Sequence, residues 1–176
     1  MRILITLLLT ALGQNLLAES SVYDVEVLIF SQSVGGSEQA PALPGAPDMG
    51  KAGPLERRGV SLLPGDQLAG VRKRLDQSGT YQVMRHLSWR QSLANGTVPQ
   101  PFKVTYPEQG DSAGGKRLMG TLSLGRSNYA ILKVDLLLQQ DGQSYRMEET
   151  RRMKRGELHY LDHPRMGVIA TIQPVD

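Results

Sequence analysis

The 176-residue sequence contains no cysteine. That excludes disulfide staples, thiol chemistry, thiolate-bound metal and a lipid anchor on an N-terminal cysteine. Charge of one sign is scarce as well: 20 Lys and Arg face 17 Asp and Glu, a formal net charge of +3. A dedicated nucleic-acid binder needs a continuous basic face, which so slight an excess does not supply. The main apolar run, Ile3–Leu12, is interrupted by Thr6 and Thr10 and falls short of the roughly 20 residues that span a bilayer. A Gly-x-Ser-x-Gly nucleophile elbow, a His-Glu-x-x-His zinc helix and internal repeats are also missing.

What is present begins with a charged start (Met1, Arg2), the short apolar run, and Gly13–Ala18 ending in a small residue before Glu19. This is the pattern of a cleaved signal peptide over residues 1–18, leaving residues 19–176 as one domain without a membrane span. In Ser21–Phe30 the apolar Tyr23, Val25, Val27 and Ile29 alternate with Asp24 and Glu26, as in a half-buried strand. Its end, Leu28-Ile29-Phe30, is apolar on both faces and belongs in the middle of a sheet. Residues 31–63 are rich in Gly and Pro and read as a long loop. Asp66 is placed to cap a helix that carries Leu68, Val71 and Leu75 on one face and stops at Gly79.

Thr80–Gln91 reads as a second strand, with Tyr81, Val83, Leu87 and Trp89 on one face and Arg85 at a rim. A second loop, Ser92–Lys116, carries an Asn95-Gly96-Thr97 sequon. It ends on a phosphate-loop look-alike spoiled by Arg117, where Ser or Thr would hold magnesium. Strands follow around Gly125–Asn128 and the Asp141-Gly142 hairpin turn. Ser144–Lys154 is a long polar strand suited to a sheet edge, and Met166–Ile172 is the last strand. The expectation is an α+β domain: one antiparallel or mixed sheet of about six strands, with one helix packed on one face.

Polar chemistry concentrates in Arg151–Gly167: four cations in five positions, two of the three histidines, a tyrosine, two carboxylates and a proline turn. Guanidinium forks suit carboxylates and phosphates, so the candidate ligand-binding residues are Arg151, Arg152, Arg155, Glu157, His159, Tyr160, Asp162 and His163. A solvated edge strand and a purely structural corner are the plainer alternatives. A metal site built from His159, His163, Glu157, Asp162 and a distant His86 is disfavoured because Pro164 prevents a regular helix through His163. No catalytic residue and no cofactor is assigned.

Three stretches resemble the CsiV family of periplasmic peptidoglycan-binding proteins. They are Tyr23–Phe30, then Tyr81-Gln82-Val83 with His86–Gln91, and above all Arg151–Pro164 followed by Gly167-Val168-Ile169. The resemblance implies a non-catalytic periplasmic protein of a Gram-negative cell. It would bind peptidoglycan and assist wall assembly by a bifunctional penicillin-binding synthase or its lipoprotein activator. The alternatives are a protein–protein adaptor that does not touch the wall, and a cell-wall hydrolase with a His/carboxylate metal site.

Overall fold

The computed structural model describes residues 21–33, 45–108 and 114–175. The signal-peptide segment, residues 1–18, lies outside them, as do residues 34–44 of the Gly/Pro-rich loop. Strand β1 (Ser21–Gln32) pairs on one side with β3 (Tyr81–Leu93) and on the other with β9 (Met166–Val175), antiparallel to both. Its two-faced apolar end explains the position. Val25, Val27 and Ile29 enter the main core, while Leu28 and Phe30 pack on the opposite face with Leu68 and Leu75 of the helical segment.

One expectation is corrected. Instead of one sheet of about six strands there are two, and every strand pairing among the described residues is antiparallel. The first sheet runs β2 (Ser61–Leu62), β3, β1, β9, β8 (Leu158–His163). The second runs β4 (Phe102–Tyr106), β5 (Lys116–Arg126), β6 (Ala130–Gln140), β7 (Gln143–Met153). The reason is burial. Leu118, Leu122, Leu132, Val134, Leu136 and Leu138 all point to one face of the β5–β7 meander, and that face is covered only if it packs on Val25, Val27 and Trp89 of the first sheet. Helix α1 (Ala69–Gln77) covers part of the outer face of the first sheet.

Smaller corrections share this logic. The expected Ser92–Lys116 loop contains β4, five residues between Pro101 and Pro107 whose Phe102 and Val104 are buried. The expected Glu157–Pro164 corner contains β8, which makes a tight hairpin with β9 through Pro164-Arg165. In β3 a bulge at Met84 shifts the register between Ile29 and Phe30. Tyr81 and Val83 therefore turn away from the face shared by Leu87 and Trp89, and Val83 joins the helix-side cluster. Arg85 lies at the rim, paired with Glu108.

Asp66 does not cap α1 with its side chain. The free amides of Gln67 and Leu68 instead donate to Oε2 and Oε1 of Glu26, each at 2.9 Å, and His86 Nε2 lies 2.6 Å from the same Oε1. Glu26 is 1% exposed. Glu26→Ala strands those donors in the interior and is expected to cost about 3–5 kcal/mol in chemical denaturation, against well under 1 kcal/mol for a surface acid. Gly167 is constrained differently: a Cβ there would lie 2.4 Å from the Phe30 ring. Gly167→Ala should destabilise by about 1–3 kcal/mol, and by clearly less in a Phe30→Ala background, a coupling that a double-mutant cycle reads directly.

Candidate functional site

Strand β7 is polar because it is the edge of the second sheet. Alternation sends Tyr145, Met147 and Met153 inward and leaves Arg152 on the outer face. Arg151 points inward at the open flank, where β8 of the other sheet passes. Its Nη2 is 3.4 Å from Glu149 Oε2 and donates to the Tyr160 carbonyl at 3.4 Å, tying the two edges together. Arg152 lies with its guanidinium carbon 3.0 Å from the Tyr129 ring centroid, a cation–π contact that leaves in-plane N–H groups for other acceptors.

Residues 154–157 carry the chain from one sheet to the other. Gly156 has φ +71°, and its amide donates to the Ile172 carbonyl at 2.9 Å. That left-handed turn is what glycine permits there. His159 pins the same turn: its Nε2 accepts the Lys154 amide at 2.9 Å. Lys154 Nζ is 3.5 Å from Glu157 Oε1, and Arg155 stands 5.3 Å from the Tyr23 ring centroid.

These contacts form one wall of a cleft of about 350 Å³ at the end of the sandwich. Arg126, Arg152, Lys154 and Arg155 line it together with Tyr129 and Asn128, and among the described residues no carboxylate does. Arg126 is braced by donating from Nη1 to the Leu93 carbonyl at 3.1 Å. Lys154 is met by Glu157 at 3.5 Å, whereas Arg152 and Arg155 stand over tyrosine rings with guanidinium edges that an entering anion can engage.

The rest of the candidate set goes elsewhere. Tyr160 and Asp162 lie on the outer face of β8, the phenol donating to Asp162 Oδ1 at 2.6 Å. Burial of the phenol, reinforced by the Asp162 carboxylate, pushes its pKa well above the usual tyrosine value. His163 points inward and is 8% exposed; its Nδ1 accepts the Arg165 amide at 3.1 Å, and its buried Nε2 has no partner. Thus the eight residues fall into three groups: Arg152 and Arg155 in the cleft, with Glu157 in the turn beside it; Tyr160 and Asp162 outside; Arg151, His159 and His163 holding the corner together. Among the described residues no group of three or more His, Asp or Glu is placed to hold a metal. Arg126, Tyr129 and Lys154 were not in the candidate set. The signal for them was register, since the β6–β7 hairpin sets Ala130 opposite Met153 and so brings Tyr129 level with Lys154.

The chain matches the family model described as "Peptidoglycan-binding protein, CsiV" over residues 2–175. It belongs to the CsiV family. No curated protein and no solved structure matches it. The three CsiV-like stretches converge in space. Glu26 of the first touches His86 of the second, and Tyr160 and Gly167 of the third flank Phe30 of the first. In this CsiV chain those three stretches lie on β1, β3, β8 and β9 of one sheet and on the corner that feeds it.

His163 gives the corner a pH dependence. Burial lowers its pKa below 6.5, and the nearby Asp162 carboxylate only partly offsets this. As pH falls through 6.5 the unfolded chain takes up a proton that the folded chain refuses, so stability is full above that pH and declines below it. The urea midpoint should therefore drop on going from about pH 7.5 to about pH 5.5, and His163→Gln should drop less over the same interval.

Proposed function

We propose that this chain is a non-catalytic, periplasmic peptidoglycan-binding accessory protein that engages the wall through the cationic cleft at the β7–β8 corner. The observation that carries this reading is the cleft's composition: Arg152 and Arg155, each over a tyrosine ring and with no ion pair among the described residues, beside Lys154 and Arg126, in a chain whose family is described as peptidoglycan-binding. Peptidoglycan stem peptides present free carboxylates, the groups that guanidinium forks hold best. The signal-like pattern of residues 1–18 fits export to the compartment where the wall lies. The client of such an accessory protein would be a bifunctional penicillin-binding synthase or its lipoprotein activator.

The test is co-sedimentation of the chain from Glu19 onward with purified peptidoglycan at rising salt. Saturable pelleting that weakens as salt screens the charges is expected. The Arg152→Ala/Arg155→Ala pair should lower affinity at least about tenfold with the thermal midpoint unchanged. A second reading, a protein adaptor without wall contact, is favoured by one feature: β7 is an eleven-residue edge strand with polar outward residues, a surface to which another strand can add. A folded protein that fails to pellet at any salt would turn the assignment to that adaptor.

A further inference from the structure

Outside the cleft, the least expected surface is the outer face of the first sheet beyond α1. Leu158, Tyr160 and Tyr81 are 62%, 48% and 37% exposed there, in a chain only 5% aromatic. The rings are ordered with respect to one another. The Tyr160 ring lies within 6° of parallel to Phe30 at a centroid distance of 6.3 Å, and Tyr81 meets Phe30 edge-on at 5.3 Å. Phe30 on β1 lies over Gly167 on β9, whose missing Cβ leaves room for the ring, and meets Tyr160 diagonally, since Gly167 pairs with Asp162 and Tyr160 with Ile169. An aromatic row therefore crosses β3, β1, β9 and β8, three strand spacings or about 14 Å.

We propose that this row, with Asp162 at its edge, is a second subsite that takes the glycan strand of peptidoglycan. The proposal rests on the peptidoglycan reading above and names the part of the polymer bound at a place the cleft does not reach. The chemistry of the two surfaces differs in kind. The cleft is cationic and matches carboxylates. Phe30 is buried and backs the two tyrosines; the exposed parts of Tyr81 and Tyr160, the Leu158 side chain and one carboxylate match a neutral amino sugar, whose C–H faces lie on the apolar surface while hydroxyl and amide N–H groups donate to Asp162. Asp162 already accepts the Tyr160 hydroxyl at 2.6 Å, and that bond orients both groups before a sugar arrives. A phosphate-bearing or carboxylate-rich ligand would be repelled by the same carboxylate. The two surfaces are linked through β8, whose Tyr160 carbonyl accepts from Arg151 at the corner.

The experiment compares whole peptidoglycan with glycan strands stripped of their stem peptides by an amidase and then capped as methylamides at the lactyl carboxylates this cleavage exposes, so that the stripped glycan is neutral, using the chain from Glu19 onward. Four proteins are tested: wild type, Tyr160→Ala, Asp162→Asn and the Arg152→Ala/Arg155→Ala pair. Wild type should bind stripped glycan with little dependence on salt. Tyr160→Ala and Asp162→Asn should each weaken that binding about tenfold, while the arginine pair leaves it unchanged and loses affinity only for whole peptidoglycan. Asp162→Asn removes charge at an exposed position and preserves shape, so it answers the question even if Tyr160→Ala disturbs packing on Phe30. Binding to whole peptidoglycan without binding to stripped glycan would overturn the subsite and leave the cleft reading standing. So would stripped-glycan binding that neither single substitution touches. Failure to bind either polymer would overturn both.

Discussion

The arrangement turns on one buried carboxylate. Glu26 sits in the central strand with almost no exposure, and its two oxygens collect the amides of Gln67 and Leu68 and the His86 imidazole. Arg72 Nη1 on α1 lies 3.4 Å from His86 Nδ1, extending the chain of contacts back to the helix. Gly65 approaches so closely that a Cβ would lie 2.9 Å from His86 Nε2, in a left-handed conformation that already favours glycine. Burying a carboxylate costs several kcal/mol, and charge-assisted bonds of about 1.5–3 kcal/mol each offset that cost rather than greatly exceed it. What the cluster contributes is placement. It fixes where α1 begins and over which strands it lies.

That placement determines which surfaces stay open. With α1 anchored over β1 and β3 by Leu28, Val83, Leu68 and Leu75, the outer side of β8 is left with Leu158 and Tyr160 exposed. The opposite sheet ends at β7, and the four-residue crossing from β7 to β8 is held by the Gly156 amide, the His159 acceptor and the Arg151 bridge. Cleft and aromatic row are therefore products of the same corner. One lies where the crossing leaves the second sheet, the other where β8 completes the first.

Much of this was legible in the sequence, and the illegible part has a physical cause. Period-two alternation identified β1 and β6 and which of their residues face inward, the polarity of Ser144–Lys154 marked β7 as a sheet edge, and the two-faced apolar Leu28-Ile29-Phe30 marked the centre of a sheet. The Asp141-Gly142 turn was legible because both residues take positive φ there, 54° and 73°. Alternation states a face but not a partner, so it does not reveal that the meander packs on β3, β1 and β9 instead of extending their sheet. Strand β4 hid between two prolines, and β8 hid because its inward positions are Leu161 and two histidines rather than three aliphatic residues. Glu26 read as a solvent-facing acid, since nothing local indicates that a helix 41 residues later will need its oxygens. The arginine run was equally plain, and alternation in a strand already separates Arg151 from Arg152; it fails past Met153, where β7 ends and the turn brings Arg155 into the cleft beside Arg152.

That division also bears on whether the cleft's cations belong to a site or merely to a soluble surface. Several other arginines of this fold meet a carboxylate: Arg90 with Asp24 at 2.6 Å, Arg146 with Asp135 at 2.8 Å, Arg72 with Asp76 at 3.6 Å. Among the described residues Arg152 and Arg155 have no carboxylate within ion-pair distance, and both lie over tyrosine rings. A ring occupies a guanidinium face and restrains its orientation, but it uses none of the donors at the guanidinium edge. Solubility alone would be served as well by flexible lysines, which need no ring beneath them. Two oriented guanidinium groups with unspent edges, flanked by Lys154 and the braced Arg126, are what the proposed site would present to a planar anion such as a stem-peptide carboxylate.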